Sequence, residues 1–246
     1  MTAPGGEARE IDAARGLGVA VIALAVAFNV PFSALGALYD YPHVLRRPAG
    51  EALDLFAAGG PILVIVWHGF MLCALALTLI APALAITRQR LSARPALAIG
   101  AALAGGLAGL IQAVGLSRWV FAVPALARLH ADPSASSAAR LGAEQSFDIL
   151  NAWGGVAIGE HLGQLLTAAF VLQVAALQRA EGAKIAGRLG GLASIAMIVG
   201  TGEGLAVALG RAGDVFALVT IAGFVGLTLW LIATGLGLIR TKAAAK

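Results

Sequence analysis

The stretch 61-PILVIVWHGFMLCALALTLIAPALAI-86 decides how this chain is built. From Pro61 to Ile86 it contains no Asp, Glu, Lys or Arg. About 20 apolar residues in a helix cross the hydrocarbon core of a bilayer, so this segment is long enough to span. Pro61 opens it, and proline is well suited to the first turn of a helix. Arg88, Arg90 and Arg94 follow and close the apolar run.

The pattern recurs on both sides of that stretch. Further apolar runs lie at 16–39, 96–117, 151–177, 189–209 and 215–239. The expected fold is all-α: a polytopic transmembrane helix bundle of six spans, forming one integral membrane domain over 1–246. Composition agrees, with 59% hydrophobic and only 12% charged residues and a mean hydropathy of +0.88. Soluble domains carry about 25% charged residues, so this chain has too little polar surface to coat a water-soluble sphere. Abundant Ala and Gly suit helices that approach backbone to backbone in lipid. A secretory signal has an apolar core of about 7–15 residues. The run at 16–39 is longer, so it reads as a retained span behind a polar tail at 1–15.

The net charge of +4 does not indicate a nucleic-acid partner. The basic residues fall between apolar runs and are not interleaved with aromatics in one patch. They report orientation instead. With the amino terminus inside, eleven Lys and Arg fall on the inner side: Arg9, Arg15, Arg88, Arg90, Arg94, Arg179, Lys184, Arg188, Arg240, Lys242 and Lys246. Six fall outside: Arg46, Arg47, Arg118, Arg128, Arg140 and Arg211. The positive-inside rule then places both termini in the cytoplasm. Cys73 is the single cysteine, which rules out an intramolecular disulfide. It reads as a small buried hydrophobe.

Two loops carry extra structure. The first, 40–60, has an amphipathic second half, with Glu51 and Asp54 on one side and Leu53 and Phe56 free to lie on the membrane surface. The third, roughly 118–148, holds Pro124, an apolar piece and the helix-start signal Asp132-Pro133-Ser134. A short interfacial segment is expected in each. Arg118 and Trp119 are expected to mark the far interface of the third span.

Ionisable groups within spans are costly to insert and are functional candidates by default. Glu160 and His161 lie on the fourth span, Glu203 on the fifth and His68 on the second. His68 follows Pro61 by seven residues, about 10 Å at 1.5 Å per residue. Glu160 follows Trp153 by the same spacing, while Glu203 and Gln112 lie close to the outer ends of their spans. These four depths point to one outward-facing polar pocket, with Gln164 and Asn29 as further lining residues. Asn29 has a second reading, as a cap for backbone groups freed by Pro31. On a helical wheel of about 100° per residue, Glu160, His161 and Gln164 share one face. Gly155, Gly159 and Gly163 lie nearly opposite, a small-residue stripe that would grip a neighbouring helix. At the entrance Arg118 is expected to pair with Asp148 or Asp40. His43 and His130 read as solvated loop histidines. No set of residues has metal-ligand spacing.

The segment Tyr41-Pro42-His43-Val44-Leu45-Arg46-Arg47-Pro48, the element from Phe56 to Gly60, and Gly159-Glu160-His161-Leu162-Gly163 together resemble an uncharacterised bacterial family of six-span membrane proteins. The resemblance implies the fold and a bacterial inner-membrane location. It implies no catalytic role and no cofactor.

Three functions fit these residues. The first is a small carrier or ligand-binding membrane protein whose ligand is a proton or small molecule. Many carriers have two repeated halves, which a homodimer would supply here. The second is a membrane-embedded enzyme acting on a lipid-like or terpenoid substrate by Glu/His acid–base chemistry. The third is a b-type haem protein with His68 and His161 as axial ligands. Beyond these, the lipid bilayer is the expected partner.

Overall fold

The computed structural model describes residues 4–240, with side chains from Arg9 onward. Lys242 and Lys246, which contribute to the inner-side charge, lie outside the described residues. The described chain is all-helical: α1 Pro4–Tyr39, a 3-10 turn His43–Arg46, α2 Ala49–Ala85, α3 Arg88–Ala93, α4 Pro95–Phe121, α5 Val123–Ala131, α6 Ser137–Leu150, a π-helix Asn151–Leu162, α7 Gly163–Ala180, α8 Lys184–Gly200, α9 Gly202–Ala208 and α10 Asp214–Ile239. Six helical stretches are long and apolar enough to cross a membrane: Arg9–Tyr39, Ala49–Ala85, Pro95–Ala131, Ser137–Ala180, Lys184–Ala208 and Asp214–Ile239. The six-span helical class read from the sequence therefore holds.

The surface of α2 shows why lipid is the solvent. Trp67, Ala74 and Ala81, seven residues apart, are fully buried, whereas Ile65, Leu72 and Leu79, at the same spacing, are exposed. Seven residues are close to two helical turns, so one apolar stripe packs inward and a second apolar stripe faces out. Leu79 is 78% exposed. Water would oppose such an outward stripe; acyl chains do not.

Several boundaries differ from the sequence reading. The tail at 1–15 is helical from Pro4, because Glu-Ala-Arg-Glu-Ile-Asp-Ala-Ala-Arg is made mostly of good helix formers. Helix α2 runs through the first loop and into the second span, with a break at Gly60 (φ 58°, ψ −151°). That backbone region is essentially restricted to glycine, so Gly60 separates the amphipathic part from the spanning part. Leu53 and Phe56 do not lie on a membrane surface. They are buried, and Phe56 stacks on Trp119. Arg118 and Trp119 do not mark an interface either: both are buried within α4, which continues to Phe121. The fifth span starts earlier than its apolar run, at Lys184, and is interrupted at Thr201.

The chain divides into two compact units, and spans one to four contribute residues to both. The first comprises 1–26, 76–108 and 164–246. Its helices meet through small residues. Gly223 lies against Met197, Gly226 against Ala193, and Gly190 against Trp230, where an added Cβ would be 2.8 Å from the indole. Polar side chains then tie these helices together. The Gln178 amide donates to Thr234 Oγ1 (3.0 Å) and accepts from Trp230 Nε1 (2.9 Å). Arg90 donates to both Glu181 oxygens (2.6 and 2.7 Å) and to the Leu84 carbonyl (2.5 Å).

The second unit comprises 27–75 and 109–163. Its core is aromatic. Trp67 and Trp119 stack with centroids 4.8 Å apart and planes 8° from parallel. Tyr39 meets Phe56, Trp67 and Trp119 edge-on, and Phe147 closes against Trp119. The Tyr39 hydroxyl donates to the Ala52 carbonyl (3.0 Å), which fixes the amphipathic part of α2 to α1. Between α5 and α6 the exposed Asp132 carboxylate accepts from the Ser134 hydroxyl (2.7 Å) and the Ser134 amide (2.8 Å). Those two bonds hold it below the usual aspartate range.

Candidate functional site

The candidate site lies in the second unit and begins with glycine. The segment Asn151–Leu162 is wound as a π-helix, with the Gly163 amide bonded to the Ile158 carbonyl five residues back. Such wide turns are rare in proteins and are frequent at functional sites. The faces drawn at 100° per residue do not apply to this segment, yet its glycines do meet the third span. Gly159 lies against Gly115, where an added Cβ on Gly115 would be 2.9 Å from the Gly154 carbonyl and 3.0 Å from Gly159 Cα. Gly163 faces Gln112, and Gly155 leaves the space that the Arg118 guanidinium fills. Gly105, also on the third span, packs instead on Ala81 and Phe170 in the first unit.

Arg118 is 9% exposed. It donates to the Gly115 carbonyl (2.6 Å) and to Asn151 Oδ1 (3.3 Å), and its guanidinium carbon lies 5.0 Å from the Trp119 ring centroid. Its Nε is buried without a hydrogen-bond partner. Neither Asp148 nor Asp40 pairs with it. Asp148 is exposed, and Asp40 binds Arg47 (2.6 Å) and lies 3.6 Å from His43. The turn at 40–47 is short enough that Arg47 reaches Asp40 locally, leaving Arg118 with neutral oxygens and an aromatic face.

Asn151 links this arginine to the first loop: its Nδ2 donates to the Leu45 carbonyl (3.1 Å). The next residue, Arg46, donates from Nη2 to Glu160 Oε2 (2.7 Å). The side chains of Arg46 and Glu160 are 34% and 29% exposed, so this ion pair is only partly shielded. The second oxygen, Glu160 Oε1, is buried without a hydrogen-bond partner. Uptake of a proton at Glu160, or of an anionic group at Arg46, would break that ion pair while Arg46 remains a cation.

Of the residues read from the sequence, Glu160, His161, His68, Gln112, Asn29, Arg118, Asp148 and Asp40 belong to this second unit. His68 lies on the exposed side of α2 with Ile65 and Leu72. His161 and Gln112 are half-buried, and Asn29 is exposed. Gln164 and Glu203 belong to the first unit. There the Gln164 amide donates to the Met197 carbonyl (2.8 Å) and Thr220 Oγ1 (3.2 Å), tying three spans together. Glu203 is half-buried in the first turn of α9, with Gly213 against its side chain. Sequence reasoning missed Asn151, which it took as a span boundary, and it left Arg46 in the entrance loop. A polar residue heading a glycine-rich span, opposite a buried arginine, was the available signal. The reading of His130 as a solvated loop histidine also fails: its side chain is 12% exposed and both ring nitrogens are engaged.

These features define a six-span integral membrane protein with a charged cluster held by a π-helix. The chain belongs to the DUF4386 family, a domain of unknown function, whose model matches residues 17–235. No curated protein and no solved structure matches it.

Proposed function

We propose that this is a small carrier or ligand-binding protein of the bacterial inner membrane, with both termini cytoplasmic, working through Glu160. The observation that carries this reading is the Arg46–Glu160 ion pair at 2.7 Å, which is partly exposed. Three features support a working role over a structural one. The pair joins a loop turn to a π-helix, so its rupture leaves the Asn151–Leu45 bond as a polar tie between them. The unpartnered Glu160 Oε1 is the kind of buried acceptor that a folded protein seldom leaves unsatisfied. Protonation of Glu160, or an anion arriving at Arg46, breaks the same bond and so couples ligand to conformation. His161 and Gln112 are the proposed neighbours of the ligand. Asp40 and Arg47 form the rim of the entrance, and the charge bias between loops supports its outward orientation.

Reconstitution into liposomes with an internal pH dye tests this. Wild-type protein should pass protons down an imposed gradient, Glu160→Gln should abolish that flux, and Arg46→Gln should reduce it. Flux through Glu160→Gln equal to wild type would sink the reading.

A further inference from the structure

A second cluster in the same unit stands apart from the Glu160 site. His130 on α5 lies between two carboxylates. Its Nδ1 is 2.9 Å from Asp54 Oδ1 on the amphipathic part of α2, and its Nε2 is 2.9 Å from Glu144 Oε1 on α6. Gly50 closes over the pair, where an added Cβ would stand 3.3 Å from Glu144 Oε1 and 3.4 Å from His130 Nε2. Three segments distant in sequence therefore meet at one imidazole.

Proton counting decides what this arrangement does. A neutral imidazole has one N–H and one lone pair, whereas the imidazolium donates from both nitrogens. Ionised carboxylates only accept. Both contacts at 2.9 Å thus require one proton more than a neutral ring and two carboxylates carry. With that proton the cluster has two charge-assisted hydrogen bonds. Without it, one bond remains and a ring lone pair faces a carboxylate oxygen.

The surrounding charges leave this balance to the three groups. Just before α2, Arg47 is bound to Asp40 and lies 3.8 Å from Glu51. On α6, Arg140 Nη2 donates to the carbonyls of Asp132 and Pro133. On α5, Arg128 is exposed and two residues from His130, on another face of the helix. Among the described residues no cation contacts Asp54 or Glu144 except the imidazole itself.

We infer that Asp54, His130 and Glu144 form a proton-dependent latch that holds the amphipathic part of α2 to α5 and α6 through two bonds when protonated and loses one of them when the proton leaves. The latch bears on the candidate site through chain connectivity, since α6 runs directly into the π-helix that carries Glu160. Its existence does not depend on Glu160 having the proposed role.

Hydrogen exchange of the protein in lipid nanodiscs, at about pH 5 and about pH 8 on either side of the usual histidine range, tests the latch. After correction for intrinsic exchange, wild-type peptides covering 49–59, 137–150 or both should lose protection about threefold or more at the higher pH, the scale of one partly exposed ion pair. Peptides from α7 should not change. In Glu144→Gln the amide supplies its own N–H to a neutral ring, so protection should persist at the higher pH. His130→Gln should show no pH dependence in these peptides. Equal wild-type protection at both pH values, or a wild-type-like loss in Glu144→Gln, would overturn the inference.

Discussion

The two units treat their polar groups in opposite ways. In the first, buried polar side chains are matched: Arg90 is held by both oxygens of Glu181, Gln178 by Thr234 and Trp230, and Gln164 by Met197 and Thr220. Among the described buried side-chain atoms without a partner, only Thr78 Oγ1 belongs to it. The others, on Trp67, Arg118, Trp119, Arg140 and Glu160, all belong to the second unit. Interhelical hydrogen bonds act as glue where lipid gives helices no hydrophobic reason to associate. The first unit uses polarity in that way. The second is held by aromatic packing and glycine contacts, and it leaves more of its buried polar atoms without partners.

Removing an aromatic should break the second unit most severely. Trp119→Ala deletes the stack on Trp67 and Phe56 and the face under Arg118. A loss of about 3–5 kcal/mol is expected, seen as a large fall in unfolding temperature in detergent. A small fall would show that aromatic packing does not hold this unit together.

Next in size is the contrast between two glutamates. Glu181→Ala leaves the Arg90 guanidinium, whose side chain is 10% exposed, without its anion. Because Glu181 itself is 28% exposed, the expected cost is below the fully buried limit, about 2–3 kcal/mol. Glu160→Gln breaks a partly exposed pair and should shift stability by less than about 1 kcal/mol. Matched unfolding curves for the two variants test the comparison directly, and equal destabilisation would erase it.

Gly155→Ala sharpens the picture further. A Cβ there would stand 2.5 Å from Arg118 Nη2 and 2.9 Å from Asn151 Oδ1. Arg118 must shift, at about 1–3 kcal/mol. The Asn151 link to Leu45 should loosen, read as faster cysteine labelling at an introduced Leu45→Cys.

The smallest effect concerns Asp132. Its bonds to Ser134 lower its folded pKa. Their contribution is therefore present above the ordinary aspartate range and lost as pH falls through the lowered value. Ser134→Ala removes the hydroxyl bond and keeps the amide bond, so it should raise the Asp132 carboxyl part of the way to the ordinary range in an NMR titration, with global unfolding unchanged.

Much of the fold was legible because the bilayer imposes it. A run such as 61–86 without a charge has no stable alternative to a helix in lipid, where every backbone polar group must be satisfied within the segment. Pro61 likewise marked the start of the spanning part of α2, since its fixed φ suits a first helical turn. The site was only half legible. Glu160 was visible as a charge in a span, but its partner Arg46 lies 114 residues away in a loop. His130 was misread for the same reason, because Asp54 and Glu144 approach it only through packing. The glycine stripe was recognised, though its winding as a π-helix was not.

The sequence by itself determined the solvent, the six spans, the breaks between them and which residues are costly to insert in lipid. Those follow from local hydropathy and backbone chemistry, which act within a few turns of chain. Only the tertiary structure decided that Arg118 faces neutral oxygens, that Glu160 meets Arg46 and that one histidine holds two carboxylates. Charge pairing depends on distances between segments far apart in sequence, and packing sets those distances.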